Sequence, residues 1–214
     1  MNPKHILITG GAGFVGSRLA LRFREADPSR QVTALDNLSR RGAELNLPAL
    51  RERGVTFVHG DIRNPEDLEA LPPFDLLIEC SAEPSVHAGQ SGSPVGLLHK
   101  NLTGAMHCFE AARRSGAAVM FLSTSRVYPI PALKELILAE GASRLELSAD
   151  QPMRGCSAAG IAEDFPLDGP RSFYGMSKLA GEAMLEEYSF TYGVPALINR
   201  CGVLAGPGQM GKVD

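Results

Sequence analysis

The sequence lacks any cluster of basic residues: 21 Lys and Arg are balanced by 24 Asp and Glu, which leaves a formal net charge of −3. Proteins that bind nucleic acid carry a basic patch or stripe, so this balance argues against a nucleic-acid partner. No run approaches the ~18 consecutive apolar residues of a membrane-spanning helix. The first residues lead directly into a strand-like run at 5–9, which leaves no room for a signal peptide. We therefore expect neither a nucleic acid nor a membrane among the partners.

Cysteine is also scarce. The four cysteines, Cys80, Cys108, Cys156 and Cys201, form no C-x-x-C pair and do not group with histidines at the spacing of a zinc site. A disulfide framework is unusual in a chain of this length. The cysteine pattern therefore predicts no metal site and four reduced thiols, as is typical of a cytoplasmic protein.

The chain does have a regular alternation of short apolar runs and longer stretches with helical periodicity. Hydrophobic residues make up 44% of its 214 residues and charged residues 21%, which is enough for one sizeable core. Short apolar runs predict strands at 5–9, 31–35, 55–58, 76–78, 118–122 and 195–199. Apolar residues on one helical face predict helices at 14–26, 95–114 and 173–192. This alternation predicts an α/β fold with a doubly wound parallel sheet of the Rossmann type.

One long stretch interrupts the alternation. Between Tyr128 and Tyr174 there is no clear strand or long helix, and prolines occur at positions 129, 131, 152, 166 and 170. A loop of this length is usually functional or mobile, and a disordered insertion is the alternative. We predict a single domain over residues 1–214 with a long insertion at about 129–170.

A glycine-rich turn follows the first predicted strand and opens the first predicted helix. Gly10, Gly13 and Gly16 have G-x-x-G-x-x-G spacing. The first glycine permits a tight turn, the second lets a pyrophosphate approach the backbone, and the third lets helix and strand pack closely. The free N–H groups of the first helical turn, which contains Phe14 and Val15, would then face the phosphates. The turn therefore predicts a dinucleotide site.

Asp36 ends the second predicted strand, 20 residues after Gly16. A carboxylate there can accept hydrogen bonds from both hydroxyls of an adenosine ribose and repels a 2′-phosphate, which favours NAD over NADP. NADP stays an alternative cofactor because of Arg40 and Arg41, since an arginine after this strand can hold a 2′-phosphate. The alternative is a structural turn in which Asp36 caps the helix.

Tyr174 and Lys178 stand four residues apart in the last predicted helix, so both project from one face of it. A phenol with a pKa of about 10 is a poor base at neutral pH, but a nearby ammonium favours the phenolate. Such a phenolate can take a proton from a sugar hydroxyl as hydride leaves the same carbon. Thr124 follows the fifth predicted strand, where ligands of such sheets bind, and can hold the reacting oxygen against Tyr174. The alternative is an ordinary surface pair on a helix.

Six segments together resemble one family, the extended short-chain dehydrogenase/reductases that include the nucleotide-sugar epimerases and dehydratases. The resemblance covers essentially all of the chain, and the segments follow the family's order. The segments are 10–16 (GGAGFVG), 36–39 (DNLS), 60–63 (GDIR), 101–104 (NLTG), 123–128 (STSRVY) and 174–178 (YGMSK).

The resemblance implies NAD as the cofactor and assigns further residues to it. Asp61 and Ile62 would contact the adenine, residues 80–82 would line the cofactor channel, and Asn101 would support the nicotinamide side. The expected cofactor-binding set is Gly10, Gly13, Phe14, Val15, Gly16, Asp36, Asn37, Ser39, Asp61, Ile62, Cys80, Ser81, Ala82, Asn101, Ser123, Tyr174, Lys178 and Cys201. The expected catalytic residues are Thr124, Tyr174 and Lys178, and the candidates for substrate contact are Glu83, His87, Thr124 and Ser125.

Within the family, the nearest likeness is to the CDP-paratose 2-epimerase-like (CDP-tyvelose epimerase) proteins. That likeness implies an NAD-dependent epimerase acting on a nucleotide sugar, with a CDP-linked sugar as the specific candidate. Ser125 and Arg126 stand where family dehydratases often carry acidic residues, which favours an epimerase or a reductase. A 4-epimerase, a dehydratase or a reductase of the same family stays an alternative, and so does a non-catalytic NAD-binding module.

The sequence departs from the family at two points. Glu79 ends the fourth predicted strand, where family members commonly have histidine. The family's C-terminal substrate domain is expected to be largely missing, so this chain would bind NAD but turn over slowly or not at all. The resemblance also implies a homodimer joined through the helices at 95–114 and 173–192.

Overall fold

In a computed structural model, which describes residues 2–90 and 92–209, six parallel strands form one sheet. Their bounds are β1 His5–Thr9, β2 Gln31–Asp36, β3 Thr56–His59, β4 Leu76–Glu79, β5 Ala118–Thr124 and β10 Ala196–Cys201. The remaining strands, β6 Leu138–Glu140, β7 Leu145–Leu147, β8 Cys156–Ser157 and β9 Gly160–Ile161, form two separate hairpins. The domain predicted over 1–214 also includes Met1, Ser91 and residues 210–214, which lie outside the described residues.

The order of strands in the large sheet is β10-β5-β4-β1-β2-β3. β1 therefore pairs with both β2 and β4, and the direction in which strands are added reverses beside it. Ligands of such sheets bind beyond the carboxyl ends of the strands at this reversal point. The register brings Thr9 of β1 opposite Glu79 of β4 there. The predicted doubly wound parallel Rossmann sheet is confirmed.

Helices cover both faces of the sheet: α1 Phe14–Ala26, α2 Leu47–Glu52, α3 Pro65–Glu69, α4 Val95–Leu98, α5 Gly104–Ser115 and α7 Phe173–Tyr192. A further short helix, α6 Ile130–Lys134, lies in the stretch at 129–170. Alternate residues of a strand point to opposite faces. Ile6 and Ile8 accordingly pack on the side of α1 and α2, while Leu7 packs with Phe109 of α5 and Leu185 of α7 on the other side. The sheet thus lies between two apolar cores.

The long helix predicted at 95–114 is interrupted. A π-helical turn at His99–Thr103 joins α4 to α5. π-Helical turns often occur at functional sites. Here the turn contains Asn101, which is 1% exposed.

The stretch at 129–170 contains α6 and the two hairpins. Its own apolar cluster includes Tyr128, Ile161 and Phe165, with the rings of Tyr128 and Phe165 edge to face at 5.6 Å between centroids. Leu179 of α7 packs against the same cluster. This contact joins the stretch to the helix that carries Tyr174 and Lys178.

Among the described residues, no helix combines the length and the apolar character that crossing a membrane requires. Within the same ranges, no three His, Cys, Asp or Glu residues group closely enough to hold a metal ion.

Candidate functional site

The glycine turn between β1 and α1 has the close backbone contacts that its spacing predicted. Gly10 has φ +62°, and a Cβ there would lie 2.9 Å from the carbonyl of Cys80. The N–H of Gly13 donates to the carbonyl of Gly10 at 3.0 Å. A Cβ at Gly16 would overlap that same carbonyl. Side chains at Gly10 and Gly16 would therefore break the turn.

The first turn of α1, with Phe14 and Val15, begins directly after Gly13. In the described structure no side chain caps this end of the helix, and its first turn holds no acidic residue. Its N–H groups are therefore open to an anion such as a pyrophosphate. The Asp36 carboxylate accepts hydrogen bonds from the N–H groups of Ala12 (3.1 Å) and Leu38 (2.8 Å). Asp36 is thus held beside the turn, and this cradle fits a dinucleotide.

Four more residues of the expected cofactor-binding set follow the ends of β2 and β3: Asn37, Ser39, Asp61 and Ile62. The Asp61 carboxylate accepts hydrogen bonds from Asn37 at 2.8 Å and from the guanidinium of Arg63. The bonds from Arg63 hold the pKa of Asp61 well below its ordinary value. Ser39 is exposed, and its N–H donates to the side-chain oxygen of Asn37. Ile62 is buried against Gly104, the first residue of α5.

Of the expected catalytic residues, Thr124 lies at the carboxyl end of β5, whereas Tyr174 and Lys178 lie on α7. Thr124 is the last residue of β5, is 7% exposed, and accepts a hydrogen bond from the N–H of Arg126 through Oγ1. Lys178 is 2% exposed and contacts Glu79, the last residue of β4. Tyr174 is half-buried in the first turn of α7.

Two glycines let α7 lie directly on β5. A Cβ at Gly175 would overlap the carbonyl oxygen of Arg126, and a Cβ at Gly181 would lie 2.8 Å from the ring of Phe121. The hydroxyl of Ser172 accepts from the N–H of Gly175 and starts the helix. The first turn of α7 is therefore seated against the residues that follow Thr124.

Asn101 connects the loop after β4 to α7. Its side-chain oxygen accepts from the N–H of Glu83 at 2.7 Å, and its amide donates to the carbonyl of Glu83 and to the hydroxyl of Ser177. The Ser177 hydroxyl donates in turn to the carbonyl of Tyr174 at 2.8 Å. The structure thus ties Asn101 to the backbone of the candidate base.

The residues expected along the cofactor channel lie around the ends of β4, β5 and β10. Cys80, followed by Ser81 and Ala82, contacts the glycine turn through its backbone. Cys201 is the register partner of Thr124. The hydroxyl of Ser123 donates to Glu182 of α7, so it is turned toward that carboxylate. All four cysteines are free thiols.

A cavity of about 610 Å³ opens at the residues that follow Thr124, and none of the three expected catalytic residues lines it. Ser125 lines it, as do Val86 and Gln90 from the loop after β4. His87, between those two, is exposed and lies 3.1 Å from the Gln90 side chain. The other residues that line the cavity are Arg126, Tyr128, Ile130, Leu133, Ile161, Glu163, Ser172, Ile198, Asn199 and Arg200. Glu83, also expected at the substrate, is paired with Lys100 at 3.2 Å.

Sequence reasoning left Glu79 out of the expected site. Its carboxylate forms a buried ion pair with Lys178 at 3.2 Å. Two signals were available: a carboxylate at the end of a strand that is otherwise apolar, and the departure there from the histidine common in the family. Such a group is buried only when it is paired or neutral.

Comparisons with known proteins identify the family to which this chain belongs. The family model described as "NAD dependent epimerase/dehydratase family" matches residues 6–214. The dTDP-glucose 4,6-dehydratase of Mycolicibacterium smegmatis is 30% identical over 206 residues, which are 95% of this chain and 54% of that enzyme. The CDP-paratose 2-epimerase of Salmonella typhi is 31% identical over 214 residues, covering 98% of this chain and 60% of the epimerase.

A solved structure of DesIV, the dTDP-glucose 4,6-dehydratase of Streptomyces venezuelae with NAD bound, superposes with a TM-score of 0.74. It is 28% identical and covers 96% of this chain and 57% of that one. This chain thus spans about half the length of the relatives it matches. The match over nearly all of this chain confirms the predicted resemblance, and the chain belongs to the NAD-dependent epimerase/dehydratase family.

Proposed function

We propose that the protein binds NAD and epimerises a nucleotide-linked sugar, with Tyr174 as the general base and then the general acid. The observation that carries the proposal is the close packing of α7 on the end of β5, where the backbone of Gly175 contacts the carbonyl of Arg126. That contact holds Tyr174 next to the residues that follow Thr124, with the buried Lys178 one turn further on.

The cradle formed by Gly10, Gly13 and Gly16 would hold the pyrophosphate of NAD, with Asp36 at the adenosine ribose. When bound, NAD supplies an acceptor for hydride from the sugar and a donor that returns it. Asp36 carries a negative charge where NADP would bring a 2′-phosphate, which supports NAD as the cofactor.

The chain's own residues would then move one proton. Tyr174 takes it from the sugar hydroxyl as the carbon loses hydride, and returns it when the keto sugar is reduced from its opposite face. The ammonium of Lys178 favours the phenolate. The hydroxyl of Thr124 holds the reacting oxygen in hydrogen-bond reach of Tyr174.

The identity of the two residues that follow Thr124 supports epimerisation over dehydration. Loss of water needs an additional acid and base beside the tyrosine, whereas the residues directly after Thr124 are Ser125 and Arg126, and both line the cavity. A CDP-linked sugar is the proposed substrate on the strength of the likeness to the CDP-paratose 2-epimerase of Salmonella typhi. Dehydration is the competing candidate, since the dTDP-glucose 4,6-dehydratase of Mycolicibacterium smegmatis is similar to the same degree.

We also propose a homodimer joined through α5 and α7. Both helices carry exposed apolar side chains, including Met106 at 40% and Phe190 at 90% exposure. The four free thiols favour a reducing compartment, which supports the cytoplasm as the location.

The test is an assay of the full-length protein with bound NAD against CDP-, dTDP- and UDP-linked sugars. We expect a CDP-sugar to produce transient absorbance of reduced nicotinamide and a product inverted at one carbon. A keto-deoxy product would establish dehydration instead. If the protein retains NAD but none of the sugars produces reduced nicotinamide, the protein is a non-catalytic NAD-binding module.

A further inference from the structure

A buried ion pair joins β4 to the helix of the candidate base. Glu79 Oε2 lies 3.2 Å from Nζ of Lys178, and the two side chains are 1% and 2% exposed. The residues stand 99 positions apart in the chain. Nζ of Lys178 also lies 4.4 Å from the centre of the Phe121 ring on β5. The ammonium is therefore held against the neighbouring strands β4 and β5 rather than directed to solvent.

Stability of the fold is a poor explanation for this pair. Desolvation of two buried charges often outweighs their attraction, and apolar residues of similar volume are commonly as stabilising. Glu79 Oε1 and the hydroxyl of Thr9, its register partner on β1, are both buried without a hydrogen-bond partner among the described residues. An unpartnered buried oxygen lowers the free energy of unfolding further. The pair is better explained by what it does for Lys178.

Three thiols face the pair from neighbouring elements and are neutral. Cys80 follows β4, Cys108 lies on α5 and Cys201 ends β10. Burial raises the pKa of each thiol above its ordinary value, so all three keep their protons at neutral pH. None of them balances the charge of Lys178.

The ionisable neighbours of Lys178 on α7 do not balance it either. Tyr174, one turn before, is a phenol and supplies no carboxylate. Glu182, one turn after, is paired with Arg200 at 2.8 Å. Among the described residues, the carboxylate left to balance Lys178 is that of Glu79.

We propose that Glu79 is a positioning residue that keeps the Lys178 ammonium charged and in place for Tyr174. The proposal rests on the proposed function, because it gives Lys178 the task of favouring the Tyr174 phenolate. A buried ammonium without a counter-ion loses its proton readily, and a neutral amine no longer favours a phenolate. Burial raises the pKa of the Glu79 carboxyl above its ordinary value, and the neighbouring Lys178 ammonium opposes this rise. The charge on Glu79 therefore depends on Lys178, just as the charge on Lys178 depends on Glu79.

The experiment compares Glu79→Gln, which keeps the shape and removes the charge, with the conservative variant Glu79→Asp. Glu182→Gln is the matched control, since it removes a second buried carboxylate charge on α7, whose partner is Arg200 of β10 and not Lys178. Phenolate formation by Tyr174 is followed by ultraviolet difference absorbance across pH, without substrate, and the Tyr174→Phe protein is subtracted. NAD affinity is measured by calorimetry.

We expect Glu79→Gln to shift the phenolate titration to higher pH by about one unit, so that about tenfold less phenolate forms at neutral pH. NAD affinity should fall several-fold, and Glu79→Asp should keep most of the wild-type phenolate. Glu182→Gln should lower the midpoint temperature of thermal unfolding without shifting the pH range in which the Tyr174 phenolate forms. A folded Glu79→Gln protein whose titration stays in place, or moves to lower pH, would overturn the proposal.

A second set of variants repeats the titration in the Lys178→Met protein. Combining Lys178→Met with Glu79→Gln removes both charges of the pair, so no unpaired charge stays buried. In the Lys178→Met background, Glu79→Gln should leave the titration unchanged, since its effect passes through the ammonium. A shift in that background would show that Glu79 acts by another route. These readouts need no turnover, so an intact phenolate shift with no epimerisation would count against the proposed function alone.

Discussion

Gly175 and Arg126 are in backbone contact: a Cβ on Gly175 would overlap the carbonyl oxygen of Arg126. This approach seats the first turn of α7 on the 3₁₀ turn that follows β5. Tyr174 and Thr124 belong to elements 50 residues apart in the chain, and this contact is what brings those elements together.

Gly175→Ala should therefore displace the first turn of α7 from β5. We expect the free energy of unfolding to fall by about 1–3 kcal/mol, measured by urea denaturation, together with a clear loss of turnover. Gly96→Ala is the matched control, because Gly96 is also helical and a Cβ there meets nothing within 4 Å. Equal stability of the two variants would contradict the proposed contact.

Tyr174→Phe should abolish most turnover while leaving NAD in place. Removal of the phenol removes the group that carries the proton, so we expect kcat to fall by about 10²–10⁴-fold. NAD affinity by calorimetry should change by less than about threefold. Tyr192→Phe, at the exposed end of the same helix, should retain wild-type kcat. Normal turnover in Tyr174→Phe would place the base elsewhere.

Asp61 should make the stability of the protein depend on pH in the acid range. Because the hydrogen bonds from Arg63 hold the folded-state pKa below the ordinary value of 3.8, the charged carboxylate stabilises the fold at every pH above that value. This contribution is lost as the pH falls toward the folded-state pKa. Asp61→Asn should thus be less stable by about 1 kcal/mol at pH ~7, with the gap closing below pH ~4.

Urea denaturation of the wild-type and Asp61→Asn proteins at several pH values measures that gap. Arg63→Gln removes the partner that is the main cause of the shift, so it should remove most of the same dependence. A gap that stays constant through the acid range would assign the stability difference to a cause other than ionisation.

Asp36→Asn should weaken the preference for NAD over NADP. The amide oxygen can still accept the N–H of Ala12, while the negative charge that would repel a 2′-phosphate is gone. We expect NAD affinity to fall about tenfold and NADP affinity to rise, both measured by calorimetry. Asp27→Asn, at the opposite end of α1, is the control for loss of one charge. An unchanged ratio of the two affinities would remove Asp36 from the ribose site.

Much of the fold could be predicted because its signals are local. The predicted helix bounds at 14–26 and 173–192 agree with α1 and α7, since each helix has an apolar periodicity that continues to its end. The three short helices α2, α3 and α6 were missed, because five or six residues carry too little periodicity. The π-helical turn at Asn101 was missed as well, because its partners Glu83 and Ser177 come from distant parts of the chain.

In the candidate site, too, the relations between sequence neighbours could be predicted and the contacts between distant residues could not. The chain's own order placed three glycines at the start of a helix and set Tyr174 and Lys178 one turn apart, because those relations depend only on neighbours in sequence. Tertiary structure alone decided that Glu79 faces Lys178 and that Glu182 faces Arg200. Such pairs form only after the order of strands is set, and burial then makes a counter-charge obligatory for each buried ion.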